Sequence, residues 1–249
     1  MSSTPLILCI ETSTLSCSVA LLQGESVIAS RQVAEQSHVH AEQLLPLIQT
    51  CLQESGLSQV DLRAVAVSKG PGSYTGLRIG VSTAKGICHA LSIPLIAIDG
   101  LEILAHDAWK RHAETEILTI IPVMDARRNE VYTATYKAEN GRIHCIQPTR
   151  ALVLDQNSTS DELSEVFAGS GSSALVIGDA ADKCRQLISS AAPTWEFLQT
   201  FPNAMGMAGL ALEAYRKERF ENVAYFEPSY LKDFQAGAPK DPLGLRNQA

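Results

Sequence analysis

The stretch from Leu6 to Val33, LILCIETSTLSCSVALLQGESVIASRQV, decides the fold because the chain runs through the same pattern twice. It reads as an apolar strand ending at Glu11, a Ser/Thr-rich turn, a second strand (CSVALL), a tight turn at Gln23-Gly24-Glu25 and a third strand (SVIASRQV). Over 117–149 the sequence ILTIIPVMDARRNEVYTATYKAENGRIHCIQPT restarts that order, with an apolar strand, a polar turn, EVYTATY, a turn at Glu139-Asn140-Gly141 and RIHCIQ. Setting Glu11 against Asp125 brings Val19 near Val131 and the two hairpin turns near one another. The opening of the fold is duplicated, although its sequence is not.

Working outward, the first meander is followed by apolar positions at Ala41, Leu44, Leu45, Ile48, Cys51 and Leu52, the stripe of an amphipathic helix that Pro46 either bends or makes irregular in its first turn. A strand (RAVAVS), a glycine loop, a helix over 77–91, a strand (PLIAID) and a helix (LEILAHDAWKR) come next, and this alternation means parallel strands joined by crossovers. The second half continues with a strand (SALVIGD), a helix (DAADKCRQLISS) and a last helix over 203–219. The fold class is α/β, with tandem actin-like (ASKHA, RNase H-like) lobes, each a mixed sheet flanked by helices. The lobes are placed at 1–108 and 109–234, with a flexible tail at 235–249. In that architecture the turn after the first strand of each lobe faces an interlobe cleft where nucleotide phosphates sit.

Composition narrows the function classes. With 20 basic and 27 acidic residues the net charge is −7, so a diffuse grip on a phosphate backbone is not expected of this chain alone. The six cysteines, Cys9, Cys17, Cys51, Cys88, Cys145 and Cys184, form no C-x-x-C pair and read as small buried hydrophobes of a reducing compartment. The N-terminus lacks the basic region of a signal peptide, and no apolar run approaches the roughly 18 to 20 residues of a membrane span. A cytoplasmic protein that does not meet a membrane is expected.

The glycine loop is GPGSYTGLRIG, from Gly70 to Gly80. A phosphate loop of the Walker type fails, because Thr75 stands where its second glycine belongs and Leu77-Arg78 follow Gly76. A dinucleotide fingerprint fails at the same residue. What remains is a strand-to-helix turn whose helix has Leu77, Val81, Ala84, Cys88 and Leu91 toward a core, with Gly76, Gly80 and Thr83 on another side. Glycine inside a helix costs about 1 kcal/mol relative to alanine, so two of them need a reason. Either a second helix approaches that small-residue face, or the chain packs against itself there.

These residues also carry a family resemblance. ETST after the first strand, HVHAEQLLPLI, GPGSYTGLRIGVSTAKGI, DARRNEVYTA and EPSYLKDF together resemble the TsaB (YeaZ) proteins of bacteria, over nearly the whole chain up to about Phe234. The resemblance implies the tandem actin-like fold and a place in the machinery that makes threonylcarbamoyladenosine beside the tRNA anticodon. There a TsaC-type enzyme makes the threonylcarbamoyl-AMP donor, a TsaD-type paralogue carries out transfer, TsaB pairs with that paralogue, and a TsaE-type ATPase docks on the pair. This chain would be the non-catalytic scaffold and activating subunit, meeting tRNA indirectly through the complex. It would require no cofactor of its own, with ATP admitted only in the assembled complex.

Pairing in the family uses the first two helices. That implies an interface of His38, Glu42, Leu45, Gly72, Tyr74, Thr75, Gly76, Arg78, Gly80 and Thr83. A homodimer through the same face is a further expectation. A vestigial nucleotide site would comprise Glu11, Thr12, Ser13, Asp125, Arg127 and Gly178. Two departures stand out: Glu11 occupies a position where the family more often has aspartate, and His38 and His40 are two apart where the catalytic TsaD branch places metal-binding histidines four apart. On a helix that spacing points the two rings to opposite sides, so no metal site is expected. Ser13, Ser73 and Cys88 lack the surroundings of a hydrolase nucleophile, and no catalytic residue is assigned. The alternative from a different class is an independent ATP-dependent enzyme, such as a small-molecule kinase, working in its own cleft.

Overall fold

A computed structural model describes residues 4–34, 40–112, 119–139, 141–155, 157, 159–167 and 173–232. His38 and the tail beyond 232 lie outside the described residues. The first meander is β1 (Leu6–Glu11), β2 (Ser16–Gln23) and β3 (Ser26–Ala34), antiparallel, with the Gly24 turn at φ 64°. Next come α1 (His40–Glu54), β4 (Ala64–Gly70), α2 (Tyr74–Leu91) and β5 (Leu95–Asp99), and the sheet order is β3-β2-β1-β4-β5 with β1, β4 and β5 parallel.

After α3 (Gly100–Arg111), the second meander is β6 (Thr119–Asp125), β7 (Glu130–Glu139) and β8 (Arg142–Val153). Then follow α4 (Ser160–Val166), β9 (Leu175–Gly178), α5 (Ala181–Ile188), β10 (Glu196–Gln199) and α6 (Ala208–Arg216). Read from its meander edge, the second sheet runs β8-β7-β6-β9-β10, the order of the first sheet element for element. The duplication therefore extends beyond the opening meander, and the chain has tandem actin-like lobes.

Every residue of β1 is buried because both faces of its sheet are covered. Leu6, Leu8 and Ile10 alternate toward α1 and α2, where Leu44, Leu47, Ile48, Cys51, Leu52, Val81, Ala84 and Cys88 meet them. The α1 stripe departs from the sequence expectation at two of its six positions: Ala41 is exposed and Leu45 is 54 % exposed, while Leu47 is buried in their place. Ile7 and Cys9 point the other way, toward Ile103 of α3 and Ala208, Leu210, Ala211 and Ala214 of α6.

The helix expected over 203–219, which spacing alone assigns to neither sheet, is a 3-10 turn, Ala204–Met207, followed by α6, and both cover the first sheet although they follow the second meander in the chain. The chain beyond α6 stays on that lobe, where Glu221 bridges Leu95 and Lys85 Nζ donates to the carbonyls of Ala224 (3.2 Å) and Phe226 (2.9 Å). The physical reason is the apolar second face of the first sheet, which α6 and its 3-10 turn cover with small and flexible side chains. The lobes meet through α3, which turns Ile103 to the first sheet and Leu101, Leu104, Ala105 and Ala108 to the second.

Candidate functional site

The glycine loop is built to hold the first turn of its own chain. Gly70 and Gly72 take φ 110° and 148°, and Ser73 caps α2 by accepting from Gly76 N (3.2 Å). Ser73 N donates to Ser13 O (2.6 Å), and Thr12 Oγ1 donates to Gly76 O (2.8 Å). A Cβ on Gly72 would stand 2.2 Å from Ser13 O, one on Gly76 2.1 Å from Thr12 O, and one on Gly80 2.2 Å from Thr12 Oγ1.

The small-residue face is thus filled by Thr12 and Ser13. Gly76 and Gly80 are buried against that turn and not open to a partner helix, whereas Gly72 is half-buried. The other expected interface residues divide by exposure. Glu42 and Leu45 on α1, with Thr75 and Arg78 on α2, are exposed; Tyr74 and Thr83 are half-buried. Since α1 and α2 cover the same sheet face, their outward sides form one outer layer.

Glu11 ends β1 with its side chain fully buried. Its Oε1 accepts from Ser13 N (2.6 Å), so the turn's own amide serves the carboxylate. Burial pushes the Glu11 carboxyl above the usual range, against the lowering effect of the neighbouring Ser13 and Ser68 groups. The matching residue of the second lobe, Asp125, is exposed and paired with Lys183, and its Oδ1 accepts from Arg127 N (3.0 Å). Asp125 N donates to Asp179 Oδ1 (2.9 Å), and burial pushes the Asp179 carboxyl up to about 6. Gly178, at φ 141°, is glycine because a Cβ there would stand 1.8 Å from Val123 O; it serves the approach of β9 to β6.

Between the two turns lies a segment that sequence reasoning quoted without giving it a role. Residues Glu227 to Lys232 run from the glycine loop to the β6–β7 turn. Ser229 N donates to Lys69 O (2.7 Å), and Ser229 O is 2.9 Å from where a Gly70 Cβ would be. Tyr230 packs on Tyr74 (ring centroids 4.8 Å), over which Arg78 also sits at 4.8 Å. Lys232 pairs with Glu130 and donates to Ala126 O (3.4 Å). The strap ties α2 to the second lobe. Asp99 makes a second tie, capping α3 through Leu101 N (2.9 Å) while Oδ2 accepts from Thr149 of β8 (2.9 Å).

Other chemistries find little support here. Among the described residues no group of three or more His, Cys, Asp and Glu side chains is placed to hold a metal. Ser73 is committed to its cap, and burial pushes the Cys88 thiol up to about 11, which makes it a poor nucleophile. No helix among the described residues is long and apolar enough to cross a membrane.

Comparison with known proteins bears on this arrangement. The family model described as TsaD, tRNA N6-adenosine threonylcarbamoyltransferase, matches residues 28–240. The tRNA threonylcarbamoyladenosine biosynthesis protein TsaB of Escherichia coli (strain K12) is 30 % identical over 229 residues, 91 % of this chain and 94 % of that protein. Its Bacillus subtilis (strain 168) namesake is 32 % identical over 238 residues, 93 % and 96 % of the two chains. Among solved structures, a Pseudomonas aeruginosa protein described as similar to peptidase YEAZ superposes with a TM-score of 0.76 at 26 % identity, covering 92 % of this chain and all of that one. Another, YeaZ from Pseudomonas aeruginosa, gives 0.73 at 25 %, covering 91 % and 100 %. A relative above 30 % identity along almost the whole chain, with the same two-lobed fold, leads to one conclusion: this chain belongs to the TsaB (YeaZ) family of tRNA threonylcarbamoyladenosine biosynthesis proteins.

Proposed function

We propose that the chain is a non-catalytic scaffold and activating subunit that pairs with a TsaD-type paralogue through the outward faces of α1 and α2. Catalysis of threonylcarbamoyl transfer to the adenosine beside the anticodon belongs to that paralogue, a TsaE-type ATPase docks on the pair, and the chain requires no cofactor of its own. ATP enters only with the assembled complex. The observation that carries this reading is the two-helix outer layer: Leu45, an apolar side chain 54 % exposed, stands in it among Glu42, Thr75 and Arg78. Exposed apolar and guanidinium groups on a rigid helical surface are the usual anchors of an interface. The turns that would hold a nucleotide's phosphates are meanwhile engaged by the chain itself.

The test is reconstitution of tRNA threonylcarbamoylation from TsaD-, TsaE- and TsaC-type proteins with and without the chain, alongside size-exclusion of the pair. Activity only in its presence, with a co-eluting complex, is expected. Leu45→Lys combined with Arg78→Glu should leave the fold intact and abolish co-elution. Activity without the chain, or tight magnesium-ATP binding by the isolated chain, would overturn the proposal and favour an ATP-dependent enzyme. A stable self-association lost in the same variant would add a homodimer through that face.

A further inference from the structure

Arg127 and Arg128, central in the β6–β7 turn, take φ 69° and 52°. In hairpin turns Asn and Gly fill such positions; arginine is a poor choice for the backbone. Neither guanidinium has a hydrogen bond or ion pair among the described residues, and both side chains are exposed. The carboxylates beside them are already neutralised, Asp125 by Lys183 and Glu130 by Lys232. Counting also the Asp179 carboxylate, which accepts from Asp125 N, the turn presents a local surplus of one positive charge, with two exposed guanidiniums, on a chain whose net charge is −7. Strained backbone positions that persist without a local return mark sites of function.

The location narrows the ligand. Lys232 anchors the strap to this turn, and Tyr230, two residues before it, packs on Tyr74 beneath Arg78. Two residues span at most about 7 Å, so the arginine turn lies close to the N-terminal end of α2 and its outward face. Arg127 and Arg128 are exposed on that turn. Two adjacent, unpaired forks on an open turn suit successive phosphates of a polynucleotide, since guanidinium binds phosphate bidentately and without base specificity.

We propose that Arg127 and Arg128 contact the phosphate backbone of RNA directly, so that this subunit helps to hold the tRNA. The choice of RNA rests on the reading that the chain works in a tRNA-modifying complex, and it goes beyond that reading's indirect role for tRNA. Such contacts position the RNA without reading its sequence.

The test is fluorescence anisotropy with labelled unmodified tRNA from 50 to 200 mM KCl, on the isolated chain and on its complex with a TsaD-type subunit. The variant is Arg127→Asn with Arg128→Gly, which keeps the turn's backbone geometry, and Arg127→Lys with Arg128→Lys keeps its charge. For two lost phosphate contacts the slope of log affinity against log salt should fall by about 1.5, with about tenfold weaker binding at physiological salt. The lysine pair should retain most of the slope, and co-elution with the TsaD-type subunit should be unchanged in both. An unchanged slope and affinity in the Asn-Gly variant would overturn the inference while leaving the pairing reading intact. Loss of pairing with tRNA binding retained would reassign the turn to a protein partner, and loss of magnesium-ATP binding alone would reassign it to a nucleotide; either overturns it. If the wild-type pair does not form, the pairing reading fails and the salt slope of the isolated chain still decides the inference.

Discussion

Gly80→Ala tests whether the glycine face belongs to the chain's own interior. The new Cβ would stand 2.2 Å from Thr12 Oγ1, whereas the other nearby atoms of Thr12, Cβ and Cγ2, are at 3.4 Å. The hydroxyl is the sole severe clash, and it is held by its hydrogen bond to Gly76 O (2.8 Å) in a fully buried site. Overpacking costs about 1 to 3 kcal/mol, and an approach of 2.2 Å belongs in the upper part of that range, about 2 to 3 kcal/mol; offset by about 1 kcal/mol of helix propensity, the single variant should lose about 1 to 2 kcal/mol. Thr12→Ala removes the hydroxyl and its buried hydrogen bond and should lose about 1 to 1.5 kcal/mol. In the double variant the clash is gone and the propensity gain remains, leaving a net loss near zero to about 0.5 kcal/mol. The cycle thus predicts a coupling of about 2 kcal/mol in the direction of mutual rescue. Urea unfolding followed by circular dichroism measures it, given a constant m-value across the four proteins. Losses additive to within about 0.5 kcal/mol would refute the contact, as would a Gly80→Ala protein of wild-type stability that fails to pair with a TsaD-type subunit.

Asp179→Asn tests the buried carboxyl of the second lobe. A folded pKa near 6 against an ordinary 3.8 means that the native protein binds the extra proton between those values, so wild-type stability falls as pH rises through that window. The asparagine variant, whose Oδ1 can still accept from Asp125 N, should be more stable by up to about 3 kcal/mol at pH 7 and equal to wild type below pH 4; an advantage independent of pH would sink the argument. Lys232→Ala should cost no more than about 1 kcal/mol, since the ion pair with Glu130 is partly exposed, yet should free the strap. Hydrogen exchange of the Ser229 amide, bonded to Lys69 O, is the readout, and unchanged protection there would mean that Tyr230 alone holds the segment.

What was legible in the sequence was whatever local pattern dictates. The strands of both meanders and their parallel neighbours followed from apolar runs bounded by turns, and α2 from its three- and four-residue spacing. Edge strand β10 escaped because Glu196–Gln199 is short and mostly exposed, so it has no apolar signature. Helix α4 had a readable signal: Thr159 and Glu162 form a capping box, with Glu162 N donating to Thr159 Oγ1 (3.2 Å) and Thr159 N to Glu162 Oε2 (2.7 Å). In LLPL, Leu44, Leu45 and Leu47 compete for one stripe, and spacing alone could not say which would be left outside. The glycines announced a close approach without naming what approaches. Their neighbours, Thr12 and Ser13, are some sixty residues away in the chain, Gly76 and Thr12 being separated by 64, and Lys232 from Glu130 by 102. Contacts at such range are set by the whole topology and leave no local trace.

The same contacts bear on the choice between scaffold and kinase. A turn that holds phosphate offers free backbone amides and, where a metal is shared, an ionised carboxylate. Here the Ser13 amide is taken by Glu11, whose own carboxyl is biased by burial toward its neutral form, and the Asp125 carboxylate is answered by Lys183 and the Arg127 amide. The same turn holds the Ser73 amide on Ser13 O and the Thr12 hydroxyl on Gly76 O, so a nucleotide that displaced the turn would pull on the first turn of α2. That turn carries Thr75, and Arg78 follows directly after it; both belong to the proposed pairing face. Nucleotide binding in the chain's own cleft would therefore disturb the helix through which it is proposed to pair, whereas a closed first turn, with its glycines seated on Thr12 and Ser13, keeps that helix rigid for a partner.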